Sequence, residues 1–301
     1  MTASAARHPN HRAAATLPPE LRRTTVPPAV RAWIERETGA AVAGIRRLAG
    51  ASSTAVHGLE LRDGRRLVLR RYAWPGFVED DPAAPQRELD ALAFARQSGL
   101  PVPAVVAADV AGTDVGDGVP AVLMSLVRGR AVAVPDVHRL AEVVAAIHSV
   151  DAGRFGHAYF RWTAGDFEGP PPTARRPALW ERALHLWATA VPPYRPVFVH
   201  RDFHPGNVLW LRGRCSGVVD WAEACRGPAG CDIAHCRTNL IRLAGVRVAA
   251  GFVAAYESIT GETHHPYWDL ASVLEHGPDW TSENVAHAER RMARALAAMP
   301  R

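Results

Sequence analysis

The chain has 301 residues, 48% hydrophobic and 22% charged, an ordinary balance for a folded protein and longer than one compact core, so two lobes are expected. No apolar run is long enough to span a bilayer and the first residues lack the continuous apolar stretch of a secretion signal, which makes a cytoplasmic protein the expectation. The net charge of +5 collects mainly in Met1–Arg31, where arginines outnumber a lone glutamate, so the basicity marks a tail and argues against a nucleic-acid partner.

Residues 1–28, rich in Ala, Arg and Pro, read as a disordered arm. Pro27 and Pro28 then open a helix through Val30, Trp33 and Ile34, which Gly39 ends. The period changes to two from Val42. Val42–Leu48, Ala55–Leu61 and Arg66–Tyr72 read as strands, with Asp63-Gly64 as a hairpin turn. A loop rich in Pro and Asp leads to a helix over Gln86–Gln97, with Leu89, Leu92 and Ala93 on one face. Ala104–Asp109 and Ala121–Val127 are two further strands around a turn rich in Gly and Asp. Residues 29–127 thus form an N-lobe of five antiparallel strands and one inserted helix. Residues 128–301 form a larger, mainly helical C-lobe: Asp136 caps Val137–Val150, Pro177 starts a helix through Ala190, and helices fill most of Asp232–Met299. The fold class is α+β in two lobes, with the site expected between them.

The densest chemistry lies in Val199–Trp221, V-H-R-D-F-H-P-G-N-V-L-W-L-R-G-R-C-S-G-V-V-D-W. His200, Asp202 and Asn207 fall on a polar turn between apolar segments, and Asp220 ends the next strand-like run. Phosphoryl transfer from a nucleotide needs such a set: a carboxylate to accept the acceptor's proton, and oxygen ligands to hold Mg²⁺ on the phosphates. The spacing matches the catalytic loop H-R-D-x-x-x-x-N followed by a metal-binding aspartate. The four cysteines contain no C-x-x-C pair, so reduced structural thiols are expected rather than a zinc site. No Walker motif is present.

The ordered segments V-H-R-D-F-H-P-G-N-V-L and V-V-D-W-A-E-A, preceded by a helix ending L-A-E-V-V-A-A-I-H-S-V-D, resemble the aminoglycoside phosphotransferase family, whose two-lobed fold is like that of protein kinases. The resemblance implies ATP, with GTP left open, and Mg²⁺. It makes Asp202 the catalytic base, Asn207 and Asp220 the metal ligands, and His200 a residue that positions the loop. His204 is expected to be structural. Gly50-Ala-Ser-Ser-Thr54 takes the place of the phosphate-covering loop, where Ser52, Ser53 and Thr54 offer hydroxyl donors; by itself the segment reads equally as a hairpin turn. The family expects a lysine where Arg70 stands, gripping phosphates and paired to a helix glutamate, here Glu88; the chain has no lysine at all. Strand alternation puts Val68 on the face of Arg70, where it could lie over adenine, and leaves Arg71 facing solvent. Met124, Ser125 and Val127 fall in the hinge segment, with backbone groups of Ser125 and Val127 toward the base. Asp232 is expected to cap a helix over Ile233–Leu240 and to anchor the loop.

The acceptor side is less legible. Trp268, Asp269 and Glu275 are candidates on a C-terminal stretch of slightly acidic balance, which would suit a polycationic antibiotic of the aminoglycoside type; a sugar or amino alcohol is the other kind of acceptor. A non-catalytic nucleotide-binding regulatory protein is the alternative of a different class, and Arg70 favours it. A protein kinase is disfavoured, since D-F-G and A-P-E segments are lacking. The expected partners are a nucleotide and a small hydroxylated substrate, with neither nucleic acid nor membrane.

Overall fold

A computed structural model describes residues 23–48, 54–74, 77–162, 169–275 and 282–299. They divide into two compact units: one takes the described residues up to Ala131 together with Val208–Glu223, the other Val132–Asn207 and the described residues from Ala224 onward.

The first unit is built on a five-stranded antiparallel sheet, β1 (Val42–Arg47), β2 (Ala55–Leu61), β3 (Arg66–Arg71), β4 (Val105–Asp109) and β5 (Ala121–Ser125), in the order β1-β2-β3-β5-β4. Period-two alternation divides its side chains between two faces. Leu67, Leu69 and Leu123 pack with Leu59, Leu61 and the helix α1 (Pro28–Thr38). That helix buries Val30, Trp33 and Ile34, one stripe at helical spacing, and ends at Gly39, whose φ of 67° lets its N–H bond back to the Glu35 carbonyl. On the opposite face Tyr72, Val122 and Met124 cluster with Val68 and with Ala84 and Leu89 of α3 (Ala84–Gln97), which follows the short α2 (Phe77–Asp80).

Arg71 departs from expectation. It is buried, and its guanidinium NH2 donates to both oxygens of Asp117 at 2.7 Å and to the Val119 carbonyl at 3.3 Å. Its partner comes from the Gly-rich turn before β5, a juxtaposition that strand alternation alone does not reveal.

A second small sheet, β6 (Arg130–Ala131), β8 (Val208–Leu211) and β9 (Arg214–Val218), completes this unit in the order β6-β8-β9. Gly129 precedes it at φ 143°, and a Cβ there would sit 2.4 Å from Ser216 Oγ and 3.0 Å from the Trp210 carbonyl oxygen, so only glycine fits the crossing.

The other unit is mainly helical: α4 (Val137–His148), α5 (Pro177–Thr189), α6 (Ala229–Ala244), α7 (Val246–Thr260), α8 (Pro266–Glu275) and α9 (Ser282–Ala298), with one antiparallel strand pair, β7 (Pro196–Val199) and β10 (Cys225–Pro228). Asp136 caps α4 by accepting from the N–H groups of His138 and Arg139. Trp180, Val197, Tyr267, Leu270, Leu274 and Met292 belong to one buried core. Glu289 is buried with them, and one of its oxygens accepts from the Arg175 and Arg176 N–H groups and from Trp180 Nε1, which satisfies a carboxylate in an apolar setting. No helix among the described residues is long and apolar enough to cross a membrane.

Leu69 is wholly buried at the centre of the sheet. Leu69→Ala should therefore lower the free energy of unfolding by about 2–5 kcal/mol, read as a lower denaturation midpoint in urea at unchanged slope.

Candidate active site

The loop after β7 is held from within the helical unit. His200 and Arg201 turn their backbone N–H groups onto Asp232, at 2.8 Å to Oδ2 and 2.6 Å to Oδ1. Arg201 stands at φ 72°, a left-handed conformation that a side chain adopts at a cost. Its fully buried guanidinium reaches Glu275 Oε2 at 3.0 Å and the Phe160 carbonyl at 2.8 Å, and lies 4.1 Å from the Trp162 ring centre. These contacts offset the strain. Asp232 also meets His148 Nε2 at 3.1 Å, and His148 Nδ1 meets the Tyr256 hydroxyl at 2.8 Å. Burial opposes the Asp232 charge, yet the bond and charge of His148 hold its carboxyl below the usual range. Asp232 lies inside the first turn of α6, which begins at Ala229 after Pro228, so it anchors the loop as expected but is not the helix cap. His200 is fully buried with its ring edge-on to Phe203.

Asp202 comes next on that loop and is about one-fifth exposed. Asn207 Nδ2 donates to Asp202 Oδ2 at 3.1 Å and to its carbonyl oxygen at 2.9 Å. His235 Nε2, from α6, lies 2.9 Å from Asp202 Oδ1, and His204 Nε2 lies 3.9 Å from the same oxygen. Burial raises the cost of charge here, but the His235 bond and the neighbouring imidazoles outweigh it and hold the carboxyl far below its ordinary range. Asp202 is therefore an ionised acceptor at neutral pH. Because both Asn207 bonds use the amide nitrogen, Oδ1 of that side chain is directed away from Asp202.

Within the strand unit, Arg70 occupies the position discussed above. Its Nε donates to Thr54 Oγ1 at 3.2 Å, NH1 to Glu88 Oε1 at 2.7 Å and NH2 to Asp220 Oδ1 at 2.5 Å. Glu88 Oε2 accepts from the Tyr72 hydroxyl at 2.6 Å. Burial disfavours the cation, but Asp220 and Glu88 outweigh that and keep it charged. The planar fork thus grips two carboxylates at once, which a point-like ammonium does less well. Asp220 itself has φ 70°, so it too stands in the left-handed region, like Arg201 and Arg212.

The model of the phosphotransferase enzyme family matches residues 44–266. The chain belongs to this family. It is a phosphotransferase by family, and its fold is that of solved aminoglycoside phosphotransferases. Aminoglycoside phosphotransferase APH(4)-Ia is similar at a TM-score of 0.65 and 20% identity, over 91% of this chain and 99% of that one. A provisionally named fructosamine-3-kinase from Thermobifida fusca follows at 0.61 and 22%, over 89% and 99%. Aminoglycoside-3'-phosphotransferase of type VIII gives 0.53 and 20%, over 84% and 94%. At these identities the likeness is one of fold. No curated protein matches the chain.

The family's remaining positions are distributed as follows. Ser52 and Ser53, with Gly50, lie outside the described residues; Thr54 is buried against Arg70. Val68 and Met124 oppose each other across β3 and β5 on the Arg70 face. The Ser125 N–H is taken by the Ala104 carbonyl at 2.8 Å, so it does not face a purine. Val127 lies against Gly217, where an added Cβ would come within 2.6 Å of its side chain.

The acceptor candidates are engaged internally. Trp268 is buried, and Asp269 pairs with Arg237 and with His264. Glu275 is bonded through both oxygens, to Arg201 and to the Tyr159 hydroxyl. The cavity that Trp268 and Glu275 border, with Tyr159, Arg201, His235 and Ser272, measures about 10 Å³, room for no more than one water. Each of the three is accounted for by packing or pairing. His235 is the site residue that the sequence did not single out; the available signal was its position one helical turn after Asp232.

Asp232→Asn replaces a carboxylate that accepts two backbone N–H groups, and should lower stability by roughly 3 kcal/mol at pH 7 in urea unfolding. Because the folded value is depressed, the deficit stays full above about pH 4, the unfolded value, and closes as pH falls through the lower folded one.

Proposed function

We propose that this chain transfers the γ-phosphate of ATP to a hydroxyl of a small molecule, with Asp202 accepting the hydroxyl proton. The observation that carries the reading is the state of Asp202. It is an ionised, partly exposed carboxylate with a donor on each oxygen, on a loop whose backbone is tied to Asp232. A group so held can accept a hydrogen bond from an attacking alcohol without rearranging, and positioning is most of what phosphoryl transfer asks of a protein.

The donors for a divalent cation fit the group implied. Asn207 Oδ1 and the Asp220 carboxylate are hard oxygens of the kind Mg²⁺ takes, and the Asn207 amide is oriented by its two bonds to Asp202. A cation taken by oxygens of this kind would neutralise charge on the phosphates. Arg70, held charged by Glu88, would supply a further positive group toward them, with Thr54 at its side. His200 acts through the backbone, by keeping the loop on Asp232.

Similar structures support the nucleotide and the class of acceptor. APH(4)-Ia has been crystallised with ADP and hygromycin B and with AMP-PNP and hygromycin B. The similarity to a fructosamine-3-kinase extends the acceptor class to sugar derivatives, so an aminoglycoside and a sugar or amino-alcohol metabolite are the acceptors to test.

The regulatory alternative has one specific observation behind it: Arg70 occupies Asp220 Oδ1, an oxygen that a cation would use. Arg70→Met separates the two readings of that side chain. If Arg70 serves the phosphates, the dissociation constant for ADP, read by calorimetry, should rise about tenfold or more; an unchanged constant with lowered stability assigns it to holding Glu88 and Asp220 together.

For the reaction itself, Asp202→Ala should cut turnover roughly 10²–10⁴-fold while ADP affinity stays within about twofold. Equal turnover in the two proteins would remove Asp202 from the chemistry.

A further inference from the structure

Asp202 is held at two points, and only one belongs to its own loop. A carboxylate bonded through Oδ2 alone can still swing about its Cβ–Cγ bond. The second donor, His235 Nε2 at 2.9 Å from Oδ1, removes that freedom and fixes the plane of the group. His235 sits on α6 three residues after Asp232, so both project from one face of the helix. Asp232 sets the backbone of the loop and His235 sets the carboxylate that the loop carries.

The neighbouring imidazole shows what kind of cluster this is. Asp202, His204 and His235 bring three potential ligand atoms within 4.8 Å of one another, the outline of a metal site. However, the Gly206 N–H donates to His204 Nδ1 at 3.0 Å, which places the proton of the neutral ring on Nε2, the atom that faces Asp202 Oδ1. That nitrogen has no lone pair to give a cation. The cluster is a carboxylate faced by N–H donors. His235 is itself nearly buried, with its ring edge-on to Trp162 at 6.3 Å and 85°, which restrains the ring.

We infer that His235 is a positioning residue of the transfer reaction, whose Nε2–H orients the Asp202 carboxylate toward the acceptor hydroxyl. This rests on the kinase reading given above. It adds a residue far along the chain to the catalytic loop, and makes α6 the element that aligns the base.

Two measurements on the full chain test it. The first is turnover of Mg·ATP with hygromycin B, kanamycin, fructosyl-lysine and ribose, using the acceptor that the wild-type protein phosphorylates fastest. His235→Leu, which lacks the N–H, should lower kcat by roughly 10–100-fold with KM for ATP and acceptor within about twofold. His235→Gln, whose amide can offer an N–H at a similar reach, should recover most of that loss. Wild-type kcat in a folded His235→Leu protein, or equal losses in both variants with KM rising in parallel, would overturn the inference. The second measurement needs no turnover: imidazole ¹H–¹⁵N correlation should show His235 protonated on Nε2, with a resonance that shifts in Asp202→Ala. A ring protonated on Nδ1 alone overturns this inference and leaves the kinase reading standing. A wild-type protein that shows the Nε2–H signal but consumes ATP with no acceptor overturns the kinase reading, and the inference falls with it.

Discussion

One buried carboxylate organises the helical unit's chemistry. Asp232, with no exposure at all, accepts the backbone N–H groups of His200 and Arg201 and contacts His148, so it holds a loop that would not keep its conformation unaided. The left-handed turn at Arg201 follows from that hold, and the residue's side chain is in turn locked by Glu275 and Trp162. A charge this deep is tolerated because each of its oxygens meets polar donors. Take the donors away and the same carboxylate would be a liability; take the carboxylate away and two buried N–H groups lose their acceptor.

Arginine replaces lysine at a second constraint. The guanidinium of Arg70 spans Glu88 and Asp220, whereas a lysine ammonium has no planar fork for two carboxylates. The strand unit therefore ties its α3 helix and the Asp220 turn to β3 through one side chain. The chain has no lysine, and the sheet accommodates the arginine with Thr54 taking the third direction of the fork.

Much of this was legible in the residues. The five strands, α1 and α4 follow from alternation, helical stripes and caps, since those signals are local. The Arg70–Glu88 pair is what the family resemblance implies, and the structure brings the two side chains together at 2.7 Å. Asp202 and Asn207 share a single loop at the spacing of the H-R-D-x-x-x-x-N pattern, and the structure joins them by two hydrogen bonds. Arg71 was not legible: whether an outward-facing arginine meets water or a turn depends on where the chain returns, and here Asp117 returns to it. Nor was His235. A helix read as beginning at Ile233 leaves Asp232 outside as a cap and hides the one-turn spacing that puts both residues on one face. The acceptor candidates form no open surface, because Trp268 is buried and the charges of Glu275 and Asp269 are spent on Arg201, Arg237 and His264.

The central claim is that an alcohol, not water, receives the phosphate at Asp202. Phosphorus-31 NMR of the chain with Mg·ATP and each acceptor tests it most directly. The account predicts ADP together with a new phosphomonoester resonance from one of the acceptors, in equal amounts. ADP matched only by inorganic phosphate, or intact ATP with every acceptor, would contradict it.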